Sequence, residues 1–465
     1  MSDSALRQAQ AKMRAAGVAD AAIEVFTHYV GQLREGITGE IGEDTIDPLV
    51  DPLQLADMAV SDDAADTALA RTAILKLNGG LGTSMGMDMP KSLLKVRNGR
   101  SFLDLIVEQV QYVRRVHDVR LPVVFMNSFR TDADTRLALA RHEDLAVDGV
   151  PLTFLQNQEP KLLAADLTPV TWRADPSLEW CPPGHGDLYT ALVSSGTLAR
   201  LLQAGFRYAS ISNSDNLGAA PDATIAGWFA ASGAPYAAEL CRRTAADRKG
   251  GHLAVRRSDG RLVLRDTAQT AAAEMHYFTD EHRHPYFHTN NLWIDLEQLA
   301  AFLADRGPIL GLPLIRNTKT VDPSDPSSPE VVQIETAMGA AIELFEGAKA
   351  IVVERERFLP VKTTNDLLLV RSDVYRLGLD RTLQPVVQPV PLIDLDRDHY
   401  TTVSKFEARF PSGPPSLRQA SSLTVRGDWT FQEAVVATGA ASLGPADAPG
   451  TVPTGAKLGP GGVRT

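Results

Sequence analysis

The stretch TAILKLNGGLGTSMGMDMPKS, residues Thr72–Ser92, holds the signals from which the fold can be read. Its opening TAILKL is a short apolar run rich in strand formers, and Asn78-Gly79-Gly80 punctuates it. A strand therefore runs into a glycine-rich turn. Ser101 then opens a stretch in which Phe102, Leu105, Ile106, Val110 and Val113 recur at three- and four-residue steps, with Asp104 placed as a capping-box partner. A helix follows. In this order of elements, backbone amides at the turn can converge on phosphate oxygens, and glycines let the chain approach closely.

Outward from this unit, PVVFMN from 122, LTFLQ from 152 and YASIS from 208 are further buried-strand candidates with helical stretches between several of them. Alternation of this kind predicts an α/β fold with a largely parallel sheet. Residues 1–70 alternate small apolar and charged residues at helical spacing, which predicts short helices capping the main domain at 71–385. Residues 386–465 differ. PVVQPVPLI and RFPSGPPSL are proline-rich connectors, and LTVRGDWTF, EAVVAT and GTVPTGAKL are strand-like pieces between Gly and Asp turns. They suggest a small all-β appendage, a few coils of β-helix, with a Gly/Pro-rich end from Gly444 that is equally compatible with disorder.

A chain of 465 residues, 44% hydrophobic and 22% charged, can bury a sizeable core in two or three domains. The formal net charge of -11 argues against an extended basic surface for nucleic acid or anionic membrane. Two cysteines, Cys181 and Cys241, are too few for a disulfide framework or a multi-cysteine metal site. No segment approaches the roughly 20 apolar residues of a membrane span, and no signal-peptide core is evident. These features predict a cytoplasmic protein with small-molecule partners.

Two phosphate-loop templates fail residue by residue. The dinucleotide fingerprint G-x-G-x-x-G needs glycine where Met85 stands, and the P-loop needs glycine where Pro90 precedes Lys91-Ser92. What remains is a glycine loop followed by Pro90-Lys91, a layout seen in sugar-nucleotide pyrophosphorylases. LKLNGGLGTSMGMDMPKS closely resembles the signature of the eukaryotic-type UDP-glucose pyrophosphorylase family. Further motifs extend the resemblance over residues 70 to 430 or so: Asn127-Ser128-Phe129, Pro182-Pro183-Gly184-His185-Gly186-Asp187, Asn213-Ser214-Asp215-Asn216, Asn290-Asn291-Leu292-Trp293 and Phe358-Leu359-Pro360-Val361-Lys362. The family implies a Rossmann-like, GT-A-like nucleotidyltransferase domain, a mixed sheet flanked by helices, followed by a small C-terminal β-helix. It further implies Mg2+-assisted formation of UDP-glucose and pyrophosphate from UTP and glucose 1-phosphate, without a covalent enzyme intermediate. A UDP-sugar or UDP-N-acetylhexosamine pyrophosphorylase and a non-catalytic sugar-nucleotide-binding protein are the alternatives, and a homo-oligomer is compatible with all three. Bacterial relatives usually carry arginine after the Gly-Thr of this loop, where Ser84 stands, so backbone amides, magnesium and lysines elsewhere must meet the phosphate charge.

The chemistry itself needs an oriented phosphate nucleophile and charge neutralisation, not a general base. Asp215 lies just beyond YASIS, at the carboxyl edge where open α/β sheets put ligands, and is the candidate magnesium ligand. Alone, Asn213, Asp215 and Asn216 would read as a turn. Lys91 and Lys362 are the candidate phosphate-neutralising catalytic lysines, and the apolar FLPV before Lys362 predicts partial burial. By resemblance, Leu77, Asn78, Gly79, Gly80, Lys91, Gly184, Asn213 and Asp215 contact the nucleotide. Gln156 contacts uracil, with Gln158 as a competing alignment. His185, Asn290, Asn291 and Glu335 face the sugar phosphate. The group His276, His282, His284 and His288 lacks regular zinc-ligand spacing and is unassigned.

Overall fold

Strand β3, Thr72–Asn78, is buried along its whole length because the sheet has packed layers on both faces. The computed structural model describes residues 2–464 except 245–246, 248–249 and 446–447. In chain order the main sheet contains β1 (Ile46–Pro48), β2 (Leu53–Gln54), β3, β4 (Val123–Asn127), β5 (Thr153–Leu155), β6 (Tyr208–Asn213), β7 (Tyr236–Arg242), β8 (His252–Arg256), β9 (Leu262–Arg265), β10 (Tyr286–Asp295) and β11 (Lys349–Val352). Their spatial order is β2-β11-β7-β10-β6-β3-β4-β5, and β8 joins β10 to β1 and β9. The pairs β3–β4, β4–β5, β3–β6, β7–β11 and β2–β11 are parallel, but β10 runs antiparallel to both β6 and β7. The sheet is thus mixed, not largely parallel, because the ten-residue strand β10 enters its middle in reverse.

Ile74 of β3 joins one core with Phe102, Leu105, Ile106, Val110 and Val113, the apolar face of helix Phe102–His117. Ala73, Leu75 and Leu77 face the other core, with Leu188, Leu192, Leu198 and Leu299. Two-residue alternation thus assigns successive side chains to opposite layers. The predicted capping box is present: Ser101 Oγ accepts from the Asp104 N–H at 3.2 Å, and the Asp104 carboxylate accepts from the Ser101 N–H at 2.9 Å.

The N-terminal region is only partly helical. Helices Asp3–Ala15, Asp20–Glu35 and Asp62–Leu69 form as expected, but β1 and β2 pair with β8 and β11 and become part of the main sheet. At the other end, Leu392–Leu395, Ser416–Val425, Val436–Leu443 and Lys457–Gly459 pair in parallel succession, and Gly462–Arg464 turns back antiparallel. The chain beyond Gly444 therefore forms strands among its described residues: its prolines fall between the strands, and Gly450, Gly459 and Gly462 stand at strand ends. Leu395, Tyr400, Phe406 and Leu417 share one apolar cluster with Phe102 and Ile106, so this region packs directly on the helical layer of the sheet. Among the described residues no helix is long and apolar enough to cross a membrane.

Phe102 is fully buried where these layers meet. Phe102→Ala should cost about 3–5 kcal/mol and lower the thermal midpoint, and an unchanged midpoint in scanning calorimetry would exclude this role.

Candidate active site

The carboxyl ends of β3 and β6 lie side by side, with Leu77 in register with Asn213, and the glycine loop leaves the sheet there. The Leu77 carbonyl accepts from the Ser214 N–H at 3.0 Å, tying the Asn213–Asn216 turn to the start of the loop. Asn78 is spent inward: its amide donates to Asn127 Oδ1 at 2.8 Å and Thr135 Oγ1 at 2.9 Å, and its carbonyl accepts from Thr131 Oγ1 at 2.8 Å. Its side chain therefore anchors the loop rather than facing a ligand. Gly79 sits close against Gln156: a Cβ there would lie 2.6 Å from Gln156 Nε2 and would push the amide aside. The Gly79 carbonyl accepts from Ser128 Oγ at 2.9 Å and that of Gly80 from the Lys91 N–H at 3.1 Å. Among the described residues, the N–H groups of Gly79, Gly80 and Leu81 donate to no protein acceptor, which leaves them available to an anion.

Lys91, Asp215 and Lys362, far apart in sequence, come together beside this loop. Lys91 Nζ donates to Asp215 Oδ2 at 2.6 Å, with both side chains less than a fifth exposed. The Val361 N–H donates to the Asp215 carbonyl at 3.2 Å, so the residue before Lys362 is tied to the turn that carries the carboxylate. Lys362 itself is exposed, contrary to the expected partial burial: of Phe358-Leu359-Pro360-Val361 only Val361 is buried, and the chain emerges before helix Thr364–Arg371.

Beneath this junction lies a charged network that sequence reasoning missed. Arg357 donates to fully buried Glu239 through Nε and Nη2, both at 2.8 Å. Trp293 Nε1 donates to Glu239 Oε1 at 2.9 Å, and Asn291 Nδ2 to Oε2 at 3.0 Å. Asn216 Nδ2 donates to Asn291 Oδ1 and to the Arg357 carbonyl, both at 3.1 Å, and Asn216 Oδ1 accepts from the Leu359 N–H at 2.8 Å. Asn291 is thus turned into the interior and is not brought to the cleft as a sugar contact. Burial alone would raise the Glu239 carboxyl, but the Arg357 charge and these donors hold it below the usual carboxylate range. Lys76, buried in β3, donates to Ser212 Oγ at 2.7 Å and the Ala219 carbonyl at 2.8 Å, and burial, aided by the Arg357 charge, pushes it down to about 7. The signal was available: Lys76 in TAILKL and Glu239 in YAAELC are charges inside apolar strand runs, and such charges need partners.

The second wall of the cleft is built from two segments in close contact. A Cβ on Gly184, where φ is +79°, would lie 2.7 Å from the Thr336 carbonyl oxygen, and one on Gly186 would lie 2.3 Å from Thr336 Oγ1. His185 Nδ1 accepts from the Met338 N–H at 2.9 Å, leaving its proton on Nε2, and burial pushes the imidazole below its ordinary range. Glu335 opens the Thr336 segment and accepts from Asn317 Nδ2 at 3.0 Å. Gln156 lies on the glycine loop and its amide makes no hydrogen bond among the described residues, whereas Gln158 borders a small cavity shared with the N-terminal helices. Asp187 receives the N–H and Nδ2 of Asn157, at 2.6 and 2.8 Å, which fixes the segment between the two glutamines. Asn290 lies partly exposed in β10 with an unspent side-chain amide.

No group of three or more His, Cys, Asp or Glu among the described residues could hold a metal alone. A single carboxylate at a phosphate-binding loop suits magnesium, which takes its remaining ligands from phosphate oxygens and water, so Asp215 fits that ion.

The sequence profile described as UTP--glucose-1-phosphate uridylyltransferase matches residues 23–437. The chain belongs to this family. A family member from Saccharomyces cerevisiae is 41% identical over 364 residues, 77% of this chain and 71% of its own. One from Musa acuminata is 39% identical over 385 residues, 82% of this chain and 80% of its own. Among solved structures, the UDP-glucose phosphorylase of Trypanosoma brucei superposes with a TM-score of 0.92 at 41% identity, covering 98% of each chain. A variant of the Leishmania major UDP-glucose pyrophosphorylase, solved in complex with UDP-glucose, gives 0.91 at 41% identity and 99% coverage of each chain. The family's fold is therefore the one found here, a mixed α/β sheet with helices.

Lys76 makes a signed prediction for pH. An unfolded lysine keeps its proton to about 10.5, whereas the folded one releases it at about 7, so the cost of burying the charge is relieved as pH rises between these values. Wild type should gain thermal stability relative to Lys76→Met from pH 7 to pH 9, and parallel melting curves across that interval would refute the assignment.

Proposed function

We propose that this chain is a UTP:glucose-1-phosphate uridylyltransferase, transferring the uridylyl group to the sugar phosphate in one in-line step. Family membership supports the activity. The observation that carries the site is the Lys91–Asp215 pair at the carboxyl edge of β3 and β6, with the segment before Lys362 tied to the same turn. In this reading the amide of Gln156 recognises uracil, offering donor and acceptor together. The free N–H groups at Gly79, Gly80 and Leu81 hold nucleotide phosphates, and the contacts of Leu77 and Asn78 are limited to their backbone. Gly184 and Asn213 line the nucleotide. His185 Nε2–H, Asn290 and Glu335 face the sugar phosphate.

A phosphate oxygen of the sugar attacks the α-phosphorus; the new P–O bond forms as the bond to pyrophosphate breaks. No proton needs to be removed from an already anionic nucleophile. Bound at Asp215, Mg2+ would supply charge neutralisation to the nucleotide phosphates. Lys91 orients the Asp215 carboxylate, and Lys362, on its exposed stem, reaches the transferred phosphoryl group.

We further infer three units, 1–70, 71–385 and 386–465, the last a short β-helix, as its parallel strand succession suggests. A cytoplasmic location suits two buried free thiols, Cys181 and Cys241. A homo-oligomer would use surfaces away from the cleft.

Pyrophosphate release should depend on UTP, glucose 1-phosphate and magnesium together, and a panel of sugar 1-phosphates tests the broader pyrophosphorylase readings. Lys362→Ala should lower kcat by about 100-fold or more without moving the thermal midpoint, because the side chain is exposed. Wild-type turnover in this variant would remove Lys362 from the mechanism, and binding of UDP-glucose with no turnover in wild type would favour a non-catalytic binder.

A further inference from the structure

Asn290 interrupts β10 with φ +60°, a left-handed conformation that residues with a Cβ seldom adopt and that persists only when its surroundings impose it. The pairing of β10 with β7 slips nearby, between Ala238 and Leu240. The Asn290 N–H donates to His288 Nδ1 at 3.0 Å, a bond that closes the kink locally. His288 is 6% exposed, and its ring lies against Gly339: a Cβ there would be 2.9 Å from Cε1 and 3.2 Å from Nε2. A Cβ at 339 would also lie 2.8 Å from Leu264 Cδ2, so glycine there leaves room for both side chains.

The protonation state suits the role. Burial pushes the His288 imidazole down to about 4, so Nδ1 keeps its lone pair at neutral pH and the proton sits on Nε2, which is buried without a protein partner. The neighbouring asparagines divide accordingly. Asn291 spends its amide on Glu239, and Asn290 keeps its own free. The backbone that receives the His288 ring is also the backbone gripped by His185, through the Met338 N–H. Two histidines therefore meet at Met338-Gly339, His185 by a hydrogen bond and His288 by ring packing alone.

We propose that His288 is a positioning residue for the sugar phosphate: its Nδ1 fixes the left-handed turn that presents the Asn290 amide to the sugar hydroxyls, and Gly339 makes room for the ring. The inference rests on the reading of Asn290 as a sugar contact. His288 acts through Asn290 and touches no reacting atom.

The test is steady-state kinetics on the full chain. His288→Leu removes the acceptor and keeps apolar bulk; it should raise KM for glucose 1-phosphate about tenfold while KM for UTP stays within about twofold. His288→Asn, whose Oδ1 can take the place of Nδ1, should recover most of that loss. Gly339→Ala, which displaces the ring but keeps it, should raise the same KM and serves if His288→Leu fails to fold. His288→Leu combined with Asn290→Ala should behave like Asn290→Ala alone. A raised KM in Asn290→Ala with wild-type values in His288→Leu and Gly339→Ala would overturn the role of His288. A wild-type KM in Asn290→Ala would overturn the reading of Asn290 on which it rests.

Discussion

The buried pair Glu239–Arg357 is the constraint on which the site depends. Glu239 comes from the middle of β7, Arg357 from the segment leading to Lys362, and their two hydrogen bonds of 2.8 Å join pieces of chain more than a hundred residues apart. A carboxylate with no exposed surface is tolerable only if every lone pair is answered, and Trp293 and Asn291 of β10 supply the remaining donors. Asn216 then links this interior network to the turn carrying Asp215. Removing one partner would leave a buried charge unanswered, at about 3–5 kcal/mol, and would free the backbone that sets Lys362 beside Asp215.

Glycine plays a matching part on the opposite wall. At Gly184 and Gly186 the missing Cβ is a steric necessity, since the Thr336 segment fills the space. Gly86 adds a contact of another kind: a Cβ there would fall 2.8 Å from Thr402 Cγ2, so the end of the glycine loop touches the C-terminal region directly. The loop is thus bounded by Gln156, just past β5, on one side and by the residue before helix Val403–Arg409 on the other.

Much of this was legible in the sequence because it is local. The β3 run, the glycine turn and the Ser101–Asp104 box are each set by residues a few positions apart, and all form as read. What escaped depends on distant partners. Nothing near Asn290 and Asn291 says which amide turns inward; Glu239, fifty residues earlier, decides it. The direction of β10 escaped for the same reason, since a strand's own residues carry no mark of its polarity in the sheet. Gln156 and Gln158 sit on equivalent positions of an extended segment, and only the approach of Gly79 separates them. The short pieces β1 and β2 were too brief to show a period of two.

Those two pieces carry a consequence for the molecule as a whole. β2 lies on β11 and β1 on β8, so residues 46–54 shield backbone that would otherwise end the sheet as open hydrogen-bonding edges. A protein begun at Thr72 would present two unguarded strands to its neighbours, an invitation to intermolecular strand addition and precipitation. The leading segment thus closes edges that the rest of the sheet would leave open.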